Sequence, residues 1–430
     1  MHVSTVYPEE YSPTNENNEP TAQLSPEHRD NPEEANAGTT THFNIPYYSL
    51  SYKFLYFCGL WPFQSLLTSL FNKTLIMCTI LSVFIPQLVK LYKLRHILMV
   101  FLLSLSSDLY YVHIVSKFIC AILCKKQIAK VLEKIHQDFE IHKNDYLAVI
   151  KAYSAKAYKI NMAYTVYMLN AAFVFSAFPL TLHLLDIAFP RNQTRLQEKP
   201  RFIDYGVEQL NNNYLLIILH GYTTDTLGIA IIIGCDTLFV AFTHHVCALF
   251  SIIHKKLRET LNEQVLKKRN YDQDALYDEL AQIVQLHNNT LDFIVTLESA
   301  FSTLNLVTIG CATLPLTVAG QQVLMSKSNI SEWIRFSLFG GGEVIHLIYC
   351  NWPSQQIRNH SQLVHEACYD SQWYDEKLPD KCKQLLKLMM LRSQKESILT
   401  AGKIYYLGLA NFAAIMKACM SYFTVLSSLI

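Results

Sequence analysis

KIYYLGLANFAAIMKACMSYFTVLSSLI, Lys403 to Ile430, is the stretch whose reading decides the fold. It is expected to be one helix, and at ~1.5 Å per residue it reaches roughly 40 Å, beyond the ~30 Å hydrocarbon core of a bilayer. At helical spacing Asn411, Ala414, Ala418, Ser421, Val425 and Ser428 share one face, with Leu429 beside it, while Leu407, Phe412, Met416, Phe423 and Leu426 spread over the others. A narrow face of small, weakly polar residues suits either close helix packing or the wall of a water-filled path. Lys417, near the middle of the span, costs about 2.5–3.5 kcal/mol to insert unless it meets water or a partner, which favours the water-filled path.

The rest of the chain has the same membrane character. Of 430 residues, 51% are hydrophobic and 17% charged, and the mean hydropathy of +0.15 averages a polar start with several apolar runs. That is the composition of a polytopic membrane protein. A net charge of +1 provides no bulk field for nucleic acid. None of the eleven cysteines falls in 187–214 or 327–332, the loops expected outside, so no external disulfide is expected. Residues 1–44 are rich in Glu, Pro, Asn and Thr and lack an apolar h-region. They are expected to form a disordered cytosolic extension ahead of a membrane domain over 45–430.

Seven spans are expected, in an all-α fold. Phe54 to Phe71, interrupted by Gly59, Pro62 and Gln64, suits a broken helix at the interface. Spans follow at Thr74–Leu94, His96–Cys124, Ala155–Ile187, Tyr214–Ile253, Leu291–Val323 and Trp333–Trp352, and the terminal helix is the seventh. The forty residues from Tyr214 to Ile253 are taken as one helix because no turn cluster divides them. Ile128, Val131, Leu132, Ile135 and Phe139 repeat at helical spacing between lysines, and Leu276 to Asn289 is likewise amphipathic. Both read as cytosolic helical extensions.

Charge orients the spans. The connections after spans two, four and six carry Lys125, Lys126, Lys130, Lys134, Lys143, Lys255, Lys256, Arg258, Lys267, Lys268, Arg269, Arg358, Lys377, Lys381, Lys383 and Lys387. Those after spans three and five carry only Arg191, Arg195, Lys199, Arg201 and Lys327. The positive-inside rule places the amino terminus inside and the carboxyl terminus outside. The sequons at Asn192 and Asn329 then face outward as glycosylation candidates, whereas those at Asn72, Asn288 and Asn359 face the cytosol.

No P-loop, GxGxxG, GxSxG, HExxH or paired CxxC is present, so no enzyme, cofactor or metal site is expected. His244-His245 and His365-Glu366 are taken as polar-interior residues rather than metal ligands. Asp108, Asp186, Asp225, Asp236, Glu298 and Glu343 lie in or near spans and should face protein or water.

Three segments, ACYDSQWY at 367–374, LRSQKESILTAGK at 391–403 and FAAIMKACMSYFTVL at 412–426, occur in that order, with GLWP at 59–62 near the start. In them the chain resembles insect odorant receptors. That resemblance implies a tetrameric, ligand-gated, non-selective cation channel in the plasma membrane of an olfactory neuron dendrite, with cytosolic extensions forming an anchor bundle. It implies a pore lined by the last helix, including Ser421, gated by Val425 and Leu429, with Ser428 near the narrowest point. Glutamine often fills the place of Ser428 in gustatory receptors and in the shared coreceptor, and the coreceptor has a longer connection than Lys255 to Asn289. Both departures favour an odorant-tuning subunit in a heterotetramer with that coreceptor. A gustatory receptor channel is the nearest alternative, and a metabotropic seven-span receptor or a transporter is the alternative from another class. A small volatile ligand is expected in the outer half of spans two, three, four and six. The candidates are Leu105, Leu109, Val112, Phe173, Phe175, Phe178, Tyr214, Tyr222, Phe336 and Phe339, since aromatic walls suit such ligands.

Overall fold

The computed structural model describes residues 46–141, 146–188, 203–208, 210, 213–261, 273–325, 330–371, 373–376 and 378–428. Side chains at 98–100, 102, 103, 141, 175–187, 214, 331, 332 and 426–428 are not among those described. The expected extension over 1–44, Asn192, Asn329 and Leu429, and the side chains of Phe175, Phe178, Tyr214, Asp186, Leu426 and Ser428 therefore lie outside the described residues.

The chain is a helical membrane protein. Its helices are α1 (Ser49–Phe57), α2 (Leu66–Leu94), α3 (Leu98–Leu123), α4 (Lys125–Ile141) and α5 (Leu147–Ala188). They continue as α6 (Tyr214–Thr260), α7 (Gln273–Met325), α8 (Ile330–Tyr369), α9 (Asp380–Ser393) and α10 (Leu409–Ser428). The helices α2, α3, α5, α6, α7, α8 and α10 occupy the seven expected spans. By length and apolar composition alone, Leu66–Leu94, Leu215–Thr260 and Gln273–Met325 suffice to cross a membrane. The bent pair formed by α3 and α4 makes a fourth.

The break expected around Gly59 separates α1 from α2. Gly59 sits at φ +73°, and a Cβ there would lie 2.6 Å from the Ser69 carbonyl oxygen, so glycine is required. Beyond the break α1 packs on α6, where Ser51 Oγ donates to Thr237 Oγ1 at 2.9 Å. The long apolar run is one helix: α6 starts where Asn213 Oδ1 accepts from the Leu216 amide at 3.1 Å and continues for 47 residues. It packs against α1, α2, α3, α5, α7 and α8, so it is the central rod of the bundle.

The amphipathic extensions bury the faces that their spacing marks. Ile128, Val131, Leu132 and Ile135 of α4 share one apolar core with Leu276, Leu280 and Ile283 of α7, Val364 and Cys368 of α8, and Leu386 and Met389 of α9. Lys134 Nζ ties α4 to α7 by donating to the Asn289 carbonyl at 3.1 Å.

The terminal stretch differs from expectation. The last helix begins at Leu409, not Lys403, and a two-stranded hairpin precedes it, with Thr400 opposite Tyr406 and Ala401 opposite Tyr405. Gly402 and Lys403 both have φ +61°, and the Ile404 amide donates to the Ala401 carbonyl at 3.2 Å. Two successive left-handed residues close a tight hairpin and cannot continue a right-handed helix. The hairpin is held from both sides. The Gly402 amide donates to the Ser302 carbonyl at 2.9 Å, and the Leu399 amide to Ser354 Oγ at 3.2 Å.

Candidate ligand-binding cavity

Between α3, α5, α6 and α8 lies a cavity of about 280 Å³. These helices are the expected spans two, three, four and six. Its wall uses Ser106 to His113 of α3, Tyr167 to Val174 of α5, Asp225 to Ile232 of α6 and Phe336 to His346 of α8. Following each helix by residue number, all four segments lie toward the ends joined by 95–97, 189–213 and 326–329, away from α4 and α9.

Phe336 and Phe339 lie on the cavity. Leu105, Leu109 and Val112 do not; their neighbours Ser106, Ser107, Tyr110 and His113 do. A shift of one residue turns a helix by about 100°, which is the difference between the expected face of α3 and the actual one. Phe173 is 57% exposed on the outer surface, whereas Tyr167, Met168, Ala171 and Ala172 of the same helix line the cavity. Tyr222 is half-buried and off the cavity wall.

Below the aromatic wall is a polar floor that the sequence did not single out as a group. Tyr164 Oη donates to Asp236 Oδ2 at 3.2 Å and lies 2.8 Å from His346 Nδ1. Asp236 is also ion-paired with Lys117. Tyr349 stacks on Tyr164 at 3.6 Å between centroids and donates to Asn161 Oδ1 at 2.6 Å, while Asn161 Nδ2 donates to the Thr237 carbonyl at 2.8 Å. This network joins α3, α5, α6 and α8. Burial of so many polar atoms is tolerable because most of them satisfy one another. The signal available in sequence was the recurrence of Lys117, Tyr164, Asp236 and His346 inside apolar spans, where polar groups need partners.

Asp236, His346 and Cys350 bring possible metal-ligand atoms within 4.8 Å of one another. The Lys117 ammonium already takes the place a cation would occupy against Asp236, and the Tyr164 oxygen engages His346 Nδ1. The histidines weighed in the sequence have other partners. His245 Nε2 meets Asp138 Oδ2 at 2.9 Å, His244 Nδ1 meets the Val240 carbonyl at 3.0 Å, and His365 Nδ1 meets Ser393 Oγ at 3.1 Å.

On α10, Cys419 is buried and its Sγ lies 3.9 Å from the Thr313 carbonyl, and the Phe423 ring covers Gly320 of α7. The opposite face, with Ala414, Ala418, Ser421 and Val425, is exposed in the single chain, as is Lys417. The small-residue face is therefore not consumed by packing within the chain.

The family model described as 7tm Odorant receptor matches residues 98–420. The chain belongs to the odorant receptor family. Among curated relatives, it is 23% identical to Odorant receptor 13a of Drosophila melanogaster over 203 residues, covering 45% of this chain and 48% of that protein. It is 22% identical to Odorant receptor 47a of the same species over 222 residues, 50% of this chain and 54% of that one. The odorant receptor sequence thus spans about half the length of the curated relatives it matches. Its fold is that of the insect olfactory receptor OR5 from Machilis hrabei in complex with eugenol, with a TM-score of 0.73, 12% identity, and coverage of 90% of this chain and 98% of that one.

Proposed function

We propose that this chain is the odorant-binding subunit of a ligand-gated, non-selective cation channel, working with the shared coreceptor in a heterotetramer at the plasma membrane. The observation that carries the proposal is the cavity between α3, α5, α6 and α8, with apolar and aromatic walls and a small set of polar groups, the usual make-up of a small-molecule site. A structurally similar receptor was solved in complex with eugenol, which is compatible with a small organic ligand here. The amino terminus would lie inside, with Asn192 and Asn329 exposed to glycosylation outside.

The exposed face of α10 supports the channel half of the proposal. Around a central axis, Ser421 and Ser428 would supply hydroxyls to permeating cations, and Val425 and Leu429 would form apolar rings that close the path by dewetting. Ligand opens such a gate only as far as it binds the open arrangement more tightly than the closed one. The test is electrical. Coexpression with the coreceptor should give ligand-evoked cation current that the chain alone does not, and Leu429→Ser should raise basal current. Robust current from the chain alone would reject the partnership. Unchanged basal current in Leu429→Ser at normal surface expression would remove α10 from the pore wall.

A further inference from the structure

The charged groups bordering the cavity are of one sign, beside neutral donors and acceptors at Ser106, Ser107, Tyr110, Tyr167 and Asn170. Asp225 and Glu343 line it, and among the described residues no lysine or arginine does. The cation closest in the network, Lys117, is bound to Asp236 behind His346. Asp225 Oδ1 accepts from Tyr111 Oη at 3.1 Å. Glu343 Oε2 is enclosed and has no hydrogen-bond partner among the described residues.

His346 adds an acceptor. Tyr164 gives its proton to Asp236 Oδ2, so its oxygen is left to accept from His346 Nδ1, which also lies 3.6 Å from Asp236 Oδ2. A neutral imidazole protonated at Nδ1 carries its lone pair on Nε2. Among the described residues His346 Nε2 is buried without a partner, and so is Nε2 of His113, whose ring centre is 5.6 Å from that of His346. Both residues are 3% exposed. An enclosed carboxylate oxygen and two enclosed ring nitrogens that lack partners are costly unless a bound molecule satisfies them.

We propose that the cavity selects a small protonated amine with an aromatic body, its ammonium directed to Glu343 and His346 and its ring against Phe336, Phe339, Tyr110 and Tyr167. An ammonium is all donor and can pair with the Glu343 carboxyl group, whereas a hydrocarbon would leave these acceptors unmet. The inference rests on the cavity being the ligand site.

The test uses three molecules of nearly equal size, 2-phenylethylamine, 2-phenylethanol and propylbenzene. Binding is read as thermal stabilisation of the full-length protein, and response as current from cells that also express the coreceptor. The amine should act at a concentration at least about tenfold below the alcohol, and propylbenzene should be weakest. Glu343→Gln should weaken the amine by about tenfold or more and so bring amine and alcohol to near equality. If that variant fails to reach the surface, the ligand order on the unmodified protein decides. Equal or better binding of the alcohol or the hydrocarbon, no binding of the amine, or an undiminished amine preference in Glu343→Gln would overturn the inference. Amine binding without current would uphold it and reject the channel. Current evoked by the alcohol but not by the amine would uphold the channel and reject the amine.

Discussion

Lys117 of α3 and Asp236 of α6 form an ion pair in the middle of the bundle, with side chains only 1% and 7% exposed. Neither group can turn to water, so each depends on the other. Removing one partner of such a pair typically costs about 3–5 kcal/mol, while replacing both by apolar groups is often tolerated. Lys117→Met and Asp236→Leu should each strongly lower the thermal midpoint of the purified protein. The double variant should recover most of the loss. Additive losses would show that the pair is not a unit.

The wall of the cavity separates Phe339 from Phe173, although both are aromatic residues in spans. If the cavity is the ligand site, Phe339→Ala should shift the ligand dose–response by about tenfold or more, because it removes an aromatic side chain from the wall. Phe173→Ala, at a side chain 57% exposed on the outer surface, should leave potency within about threefold. Equal shifts in the two variants would argue that the ligand sits elsewhere.

At the hairpin, a Cβ on Gly402 would come within 2.5 Å of Leu306 Cδ2, at a backbone angle that side chains resist. Gly402→Ala should therefore destabilise the protein by about 1–3 kcal/mol. Lys403 has φ +61° with no need for its side chain there, since Lys403 is exposed. Lys403→Gly should be neutral or stabilising by about 1 kcal/mol, although glycine loses more backbone entropy. Thermal melts of the two single variants check both signs.

His287 lies in the part of α7 that packs with the extensions, ahead of the span expected from Leu291. Burial, and secondarily the Arg392 guanidinium, push its pKa down to about 4. The folded state thus holds it neutral, while the unfolded chain takes up a proton near pH 6.5. Its contribution to stability is present above about pH 6.5 and is lost as pH falls toward about 4. The thermal midpoint should drop across that window, and His287→Gln should make the drop shallower. An identical pH profile in the variant would exclude His287 as a source.

Much of this architecture was legible because it rests on long repeats. The apolar run after Tyr214 lacked a turn cluster and is one helix, and the buried faces of α4 and α7 follow from residues spaced by three and four. Shorter signals were not legible in the same way. ILTAGKIYY carries β-branched and aromatic residues that suit a strand as well as a helix, and only the left-handed pair at Gly402 and Lys403 decides between them. The cavity was located by helix, with Phe336 and Phe339 on its wall. The face of α3 was missed by one residue because the apolar positions were followed, whereas Ser106, Tyr110, His113 and Lys117, spaced by three and four, mark the side that meets the cavity and its floor. Glu343 and His346 look in sequence like two isolated polar residues after a glycine triplet. Their meaning depends on Lys117, Tyr164 and Asp236, which come from three other helices.

Asn351 accepts hydrogen bonds from Tyr405 Oη at 3.2 Å and from the Gly408 amide at 3.3 Å, one residue before α10 begins. It stands five positions after His346 on the same helix, about 7.5 Å along the axis, with neither glycine nor proline between them. That stretch of α8 is a stiff crank. If an occupant of the cavity twists α8 at His346, Asn351 swings through the same angle and carries the root of the last helix with it, without any intervening joint to absorb the motion.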